Sequence, residues 1–321
     1  MRTLRYVILS LGFAMAFSYG LLVGKYQVFP YQHLKLVYQL LKGVQDPVET
    51  ADSATSRGSF DEYGRLAEFP GKTEVPCPVQ TERTGVLLVI GQSNAANSAE
   101  KLVYTKFPEA NVNFFRGRCY VSESPLLGST NRGGEWITLL GDHLIEQGSY
   151  DNIVLIPSAV GGSVIARWAH GGDLNEMLIS AIQSIEDAYR VTNVVWHQGE
   201  GDVAMFTHTP TYVSMFESLM FSLGQAGVDA PFFMSIASLC SERRPPYTKW
   251  VSNAQRELID KHENIVLGVD TDAIVPLEDR HDRCHFGAGA QERVAAELAS
   301  QIGRYRSTQV RNAEAWGERP H

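Results

Sequence analysis

The chain predicts an α/β fold of the doubly wound kind, a three-layer α/β/α sandwich with a central parallel sheet. Three observations carry this. Short runs of consecutive apolar residues recur from Val86 onward. Amphipathic helical stretches separate them. The residues able to do chemistry cluster just after the runs rather than within them. Continuous apolar strands alternating with helices are the pattern of a parallel sheet covered on both faces. Such sheets bear their sites at the carboxyl ends of the strands.

Taken in order, the apolar runs are Val86–Ile90, Asn152–Pro157, Asn193–Trp196, Pro231–Ala237 and Ile265–Val269. Helical patterns are expected over Leu174–Arg190, Thr211–Ala226, Thr248–Lys261 and Ala288–Tyr305. This sets a catalytic-sized domain over 84–305, with 306–321 expected as a loose polar tail. The stretch 26–83 is expected as a juxtamembrane segment and linker. Its later part, from Val44, is rich in Asp, Ser, Thr, Gly and Pro and poor in apolar clusters.

The first 25 residues differ from everything after them. Arg2 and Arg5 precede an apolar run from Tyr6 to Gly24, closed by Lys25. Roughly 20 apolar residues span a bilayer as a helix, and this run reaches that length. A retained signal-anchor is the expectation, because the run continues past Ala16 without a polar break. A cleaved signal peptide, with Ala14-Met15-Ala16 as its small-residue site, is the competing reading. Either way the basic flank places the remainder on the non-cytoplasmic side of a membrane: anchored there, or secreted if the segment is removed.

A net charge of −8 over 321 residues speaks against a nucleic-acid partner, which would need a basic face. The four cysteines, Cys77, Cys119, Cys240 and Cys284, form no CxxC pair, so neither a zinc knuckle nor a redox motif is expected. An even number beyond an export segment permits two disulfides in any of three connectivities, with four free thiols as the alternative.

Gly91-Gln92-Ser93-Asn94 follows the first apolar run directly. A serine on a strand-to-helix turn presents its hydroxyl at the sheet edge, where neighbouring backbone N–H groups face whatever it attacks. A hydroxyl needs a base, and histidine suits that near neutral pH. The histidine in turn needs an acceptor to fix its tautomer. Asp282-Arg283-Cys284-His285, after the fifth run, offers both. A metal reading of that loop would use His281, Cys284 and His285, but no second ligand cluster accompanies them. Between these elements lie Ala159-Val160-Gly161-Gly162-Ser163 and Trp196-His197-Gln198-Gly199-Glu200. A glycine N–H and a side-chain amide at adjacent strand ends are what an oxyanion hole requires.

These blocks, with Ile165, Trp168, Gly201, Asp202 and Phe286, resemble the SGNH (GDSL-like) hydrolase superfamily. More narrowly they resemble its sialate O-acetylesterase-like domain, carbohydrate esterase family 6. The resemblance spans most of Thr84 to Arg304. It implies a flavodoxin-like fold and a serine esterase that removes O-acetyl groups from carbohydrates through an acyl-enzyme, with no metal or organic cofactor. It implies Ser93 as nucleophile, His285 as base and Asp282 as its partner. It further implies an oxyanion hole from Ser93 N–H, Gly162 N–H and the Gln198 amide, with substrate contacts expected at Gln92, Asn94, Gly161, Trp168 and Glu200. Ala95 and Gly201 depart from the residues commoner in that family. A carbohydrate O-acetyltransferase and a noncatalytic carbohydrate-binding module are the alternatives. An α/β-hydrolase is disfavoured because Ala95 stands where its nucleophile elbow needs glycine.

Overall fold

The computed structural model describes residues 58–241 and 246–317. Among the described residues there are ten strands: β1 (Ser59–Phe60), β2 (Leu66–Glu68), β3 (Glu74–Val75), β4 (Thr84–Gly91), β5 (Asn111–Phe115), β6 (Arg118–Val121), β7 (Asn152–Pro157), β8 (Asn193–His197), β9 (Phe232–Ile236) and β10 (Ile265–Asp270). Eight of them form one sheet in the order β10-β9-β8-β4-β7-β5-β6-β3. From β10 to β5 every pairing is parallel, and β6 and β3 close the edge antiparallel. The expected three-layer sandwich is therefore present.

β4 is buried along its whole length. Its side chains alternate between the two faces of the sheet, as strand geometry requires. Val86, Leu88 and Ile90 join one core cluster, while Leu87 and Val89 join the other. Helices Asp173–Gln183, Thr209–Gln225 and Tyr247–Lys261 cover the first face, through residues such as Leu178, Phe216 and Leu258. Helices Ile137–Glu146 and Ala288–Gly317 cover the second, through Leu140, Leu144, Val294 and Leu298. β4 is also where the chain switches sides. β5 and β7 lie to one side of it, and β8, β9 and β10 to the other. Ser93 sits at the carboxyl end of β4, at this switch point, where open α/β sheets form their crevices.

The structure departs from the sequence expectations in three places. β5 and β6 were not expected, because Asn111 and Asn113 interrupt the apolar pattern. Both are fully buried; the Asn111 Nδ2 donates to Thr138 O and Asp142 while its Oδ1 has no hydrogen-bond partner, and the Asn113 amide pairs with Leu127 through both its nitrogen and its oxygen. The linker expectation fails from residue 58 onward. Leu66 is fully buried, β3 extends the main sheet, and Cys77 is bonded to Cys119 in β6. The polar tail is helical as far as Gly317, because nothing between Arg304 and Ala315 breaks a helix, and Arg, Gln, Ala and Glu favour one. Among the described residues no helix is long and apolar enough to cross a membrane. The run Tyr6–Gly24 lies outside the described residues.

Candidate active site

The turn that bears Ser93 is set by its glycine. Gly91 adopts φ +148, and a Cβ there would meet His197 O at 2.0 Å. Only glycine lets β4 and β8 approach so closely at their ends. The chain then enters a single 3-10 turn, Ser93–Ala95. Ser93 is 7 % exposed. The loop after β7 passes beside it: a Cβ on Gly161 would lie 3.9 Å from Ser93 Cβ. Gly161 donates its N–H to Thr130 Oγ1 at 2.8 Å. The N–H groups of Ser93 and Gly162 have no backbone or side-chain acceptor among the described residues. Gly162 is exposed with φ +66. Unengaged N–H donors of this kind beside a serine are suited to receive an oxyanion.

His285 and Asp282 come to this turn from the loop after β10. His285 Nδ1 and Asp282 Oδ2 are 2.7 Å apart. Asp282 Oδ1 accepts the N–H groups of His285 at 2.7 Å and Cys284 at 3.0 Å. Partial burial works against the carboxylate, but these N–H groups and the His285 ring bring its pKa down to about 2. Asp282 is therefore ionised at neutral pH and holds the Nδ1–H tautomer of the ring, which leaves Nε2 as the basic nitrogen. Asn94, next to the nucleophile, binds both neighbours of His285. Its Nδ2 donates to Cys284 O at 3.1 Å, and its Oδ1 accepts Phe286 N–H at 3.2 Å.

Several residues expected to touch substrate are instead part of the supporting structure. Asn94 is 2 % exposed, and its Nδ2 also reaches Glu200 Oε1 at 2.9 Å. Glu200 is 4 % exposed. Burial would raise its carboxyl, but the facing His197 ring and the Asn94 amide hold it at about 2. His197 Nε2 lies 3.5 Å from Glu200 Oε1, and neither ring nitrogen of this fully buried histidine makes a hydrogen bond. Trp168 is fully buried, with its indole N–H on Ser163 Oγ at 2.9 Å. It packs edge-on against Trp196, so it belongs to the core rather than to a sugar platform. Gly161 contributes shape, its N–H being already engaged.

Gln198 requires the clearest correction. Its side chain is fully buried. Nε2 donates to Asp202 Oδ2 at 2.5 Å, with Ser163 O at 3.1 Å and Gln92 Oε1 at 3.3 Å. Its Oε1 accepts the Tyr212 hydroxyl at 2.9 Å. Every donor of this amide is spent inside the protein, so in this arrangement it does not face an oxyanion. Gln92, 4 % exposed, is held through Oε1 by Gly201 N–H at 2.9 Å and Gly199 N–H at 3.3 Å.

Two supports had no sequence signal, and a third is one of the cysteine pairings the sequence left open. Arg280, 3 % exposed, donates to Cys284 O at 2.8 Å and lies over the Phe286 ring. The Trp136 indole N–H donates to Asn94 O at 2.6 Å. Cys240 is bonded to Cys284, which adjoins His285. That bridge removes Cys284 from any metal-ligand set. His281, Asp282 and His285 remain as donors within 4.8 Å of one another.

Residues 83–304 match the family described as carbohydrate esterase, sialic acid-specific acetylesterase. Among solved structures, a protein from Arabidopsis thaliana superposes with a TM-score of 0.55 at 19% identity, covering 69% of this chain and 98% of that one. NanS aligns with a TM-score of 0.49 at 16% identity over 73% of this chain and 100% of its own. An acetyl xylan esterase, AlAXEase, aligns with a TM-score of 0.41 at 19% identity over 51% of this chain and 89% of its own. No curated protein matches the chain.

Proposed function

The chain belongs to the carbohydrate esterase family of sialic acid-specific acetylesterases, and from that premise we propose that Ser93, His285 and Asp282 remove O-acetyl groups from a carbohydrate. His285 Nε2 takes the proton of Ser93 Oγ as the oxygen attacks the acetyl carbonyl. The tetrahedral oxyanion is received by the N–H groups of Ser93 and Gly162. As it collapses, His285 returns the proton to the departing sugar hydroxyl, leaving acetyl on Ser93. Water, deprotonated by the same histidine, then releases acetate and restores the serine. Asp282 stays ionised throughout and stabilises the imidazolium.

The observation that carries this reading is the Asn94 link. A residue of the nucleophile turn hydrogen-bonds both neighbours of a histidine that is itself paired with a carboxylate. The test is acetate release from a panel of O-acetylated sugars, including sialic acids and xylo-oligosaccharides, by wild type and Ser93→Ala. Hydrolysis by wild type and none by the variant is the expected outcome. Equal activity of the two would remove Ser93 from the role.

The reading extends to location. Tyr6–Gly24 anchors the chain, and the esterase acts on the non-cytoplasmic side. Arg2 and Arg5 before the run support this. The two disulfides also support it, since such bridges persist in oxidising compartments. Full-length protein is expected to resist alkaline extraction from membranes. A mature N-terminus near Phe17 would show a cleaved signal instead.

A further inference from the structure

Asn94, Trp168 and Glu200, expected to hold the sugar, are buried scaffold, and the exposed aromatic rings at the carboxyl edge of the sheet stand elsewhere. Phe206 follows β8 and the short helix Glu200–Ala204, and Tyr247 opens the helix Tyr247–Lys261 that follows β9. Phe206 is 55 % exposed and Tyr247 37 %. Their ring centroids lie 4.6 Å apart, and Tyr247 stands edge-on to Trp250 at 5.1 Å. Trp250 in turn stacks on His208 at 4.1 Å. Leaving large apolar rings in water is unfavourable. Phe206 also sits at φ +57, a left-handed conformation uncommon for a bulky residue. Thr207 holds it there, with its N–H on Asp202 O at 3.0 Å and its Oγ1 on Asp202 Oδ1 at 2.7 Å. Strain and exposure thus meet at one residue beside the site.

Both rings are tied to the segment that supports Ser93. Gly199 and Gly201 donate their N–H groups to Gln92, the neighbour of Ser93, and Phe206 comes five residues after Gly201. A Cβ on Gly199 would lie 2.9 Å from Val251 Cγ1, and Gln255 donates to Gln198 O at 2.8 Å. Tyr247 precedes Val251 by one helical turn, about 6 Å along the axis at 1.5 Å per residue. A helix crossing between two parallel strands runs against them, so its first turn stands at the carboxyl edge, where Ser93 is. The C–H bonds on a pyranose face carry slight positive charge and suit the negative face of an aromatic ring. We infer that Phe206 and Tyr247 form a stacking subsite for a pyranose ring beyond the acetylated one, so that acetyl esters of oligosaccharides are preferred to those of single sugars. This inference rests on the carbohydrate esterase reading above.

The test compares short and long esters: acetylated xylose with acetylated xylotetraose, and O-acetylated sialic acid with O-acetylated sialyllactose. In whichever pair is hydrolysed, the longer member is expected to have the lower KM. Phe206→Ala and Tyr247→Ala should each raise that KM by about five- to a hundred-fold, the scale of losing one aromatic stacking partner. Both should leave kcat and KM on 4-nitrophenyl acetate unchanged, since that ester has no sugar to stack. Phe206→Leu keeps apolar bulk without a flat face and should behave as the alanine variant does. A wild-type KM in Phe206→Leu would make the patch a generic apolar surface and overturn the stacking role. Equal KM for short and long esters, or alanine variants within about twofold of wild type, below the range for a lost stack, would overturn the subsite while leaving the esterase intact. Sedimentation showing dimers that Phe206→Ala dissolves would assign the rings to a second copy of the chain instead. Hydrolysis of 4-nitrophenyl acetate but of no sugar ester would bring down the carbohydrate reading, and the subsite with it.

Discussion

The two halves of the site are built by opposite means. The nucleophile half is buried: Gln92, Ser93 and Asn94 are 4 %, 7 % and 2 % exposed, in a turn held by β4, β8 and the segment 198–201. The acid–base half lies at the surface. The Asp282 and His285 side chains are 45 % and 25 % exposed, on a loop with no regular structure. In the first half, order comes from packing and from hydrogen bonds to the buried Asn94 amide and the Gln92 carbonyl. In the second it comes from a few local bonds: two backbone N–H groups on Asp282, Arg280 on Cys284 O, the Cys240–Cys284 bridge, and Asn94 reaching across. The serine turn is thus fixed by the fold, while the histidine is fixed by tethers that can be cut one at a time.

Variants of the two halves should accordingly fail differently. The largest effect is expected from Ser93→Ala, which removes the nucleophile and should abolish ester hydrolysis, a loss of up to about a million-fold in comparable triads. Its circular dichroism and melting curve should match wild type, because one hydroxyl contributes little to packing. A tenth of the activity remaining would break the assignment. Next comes Asp282→Asn, expected to cost roughly ten-thousand-fold in kcat, since the amide presents the wrong partner to His285 Nδ1. Stability should fall modestly near neutral pH, the loss being held down because solvent screens a half-exposed group. The lowered pKa of Asp282, about 2, sets the sign of its pH effect. Its contribution is present above the unfolded carboxylate value and is lost as pH falls towards 2. Acid melts of wild type and variant should therefore converge at low pH; curves that stay parallel would contradict the pairing.

Asn94→Ala bridges the two halves and should damage both. It removes the tether to Cys284 O and Phe286 N–H and leaves Glu200 short of a buried donor. A destabilisation of about 1–3 kcal/mol is expected from a denaturant melt. The fall in kcat should exceed any rise in KM. Normal stability with normal rate would mean that the His285 loop is positioned without it. The smallest effect on rate is expected from the double replacement Cys240→Ser and Cys284→Ser. Losing the bridge should cost about 2–4 kcal/mol of stability. The chemistry should survive at low temperature, because Arg280 and Asn94 still hold the loop. Inactivity of a folded double variant would show that the bridge, rather than the hydrogen bonds, aligns the histidine.

Much of this molecule was legible in its sequence. The five parallel strands announced themselves as uninterrupted apolar runs, because a strand covered on both faces has no polar side to show. That the Ser93 turn and the Asp282–His285 pair would meet was legible because each stands in a short block following such a run. β5 was hidden, because its buried asparagines look polar until their amide nitrogens are seen to donate to Asp142, Thr138 and Leu127 inside the fold. The roles of Asn94, Glu200 and Trp168 were misassigned for the same reason. A block of polar and aromatic residues at a strand end reads as a binding surface, whether its side chains point outward or in.

The sequence by itself determined the fold class, the strand ends that bear the chemistry, and the residue types available there, since these follow from local periodicity and from functional groups. Only the tertiary structure decided where the Gln198 amide is spent, which cysteines pair, and which buried polar groups serve as scaffold. Those outcomes depend on partners far apart along the chain: Gln198 with Ser163, Asn94 with Cys284, Cys240 with Cys284. A hydrogen-bond donor has no assigned role until its acceptor is in place, and that is settled only when distant segments pack together.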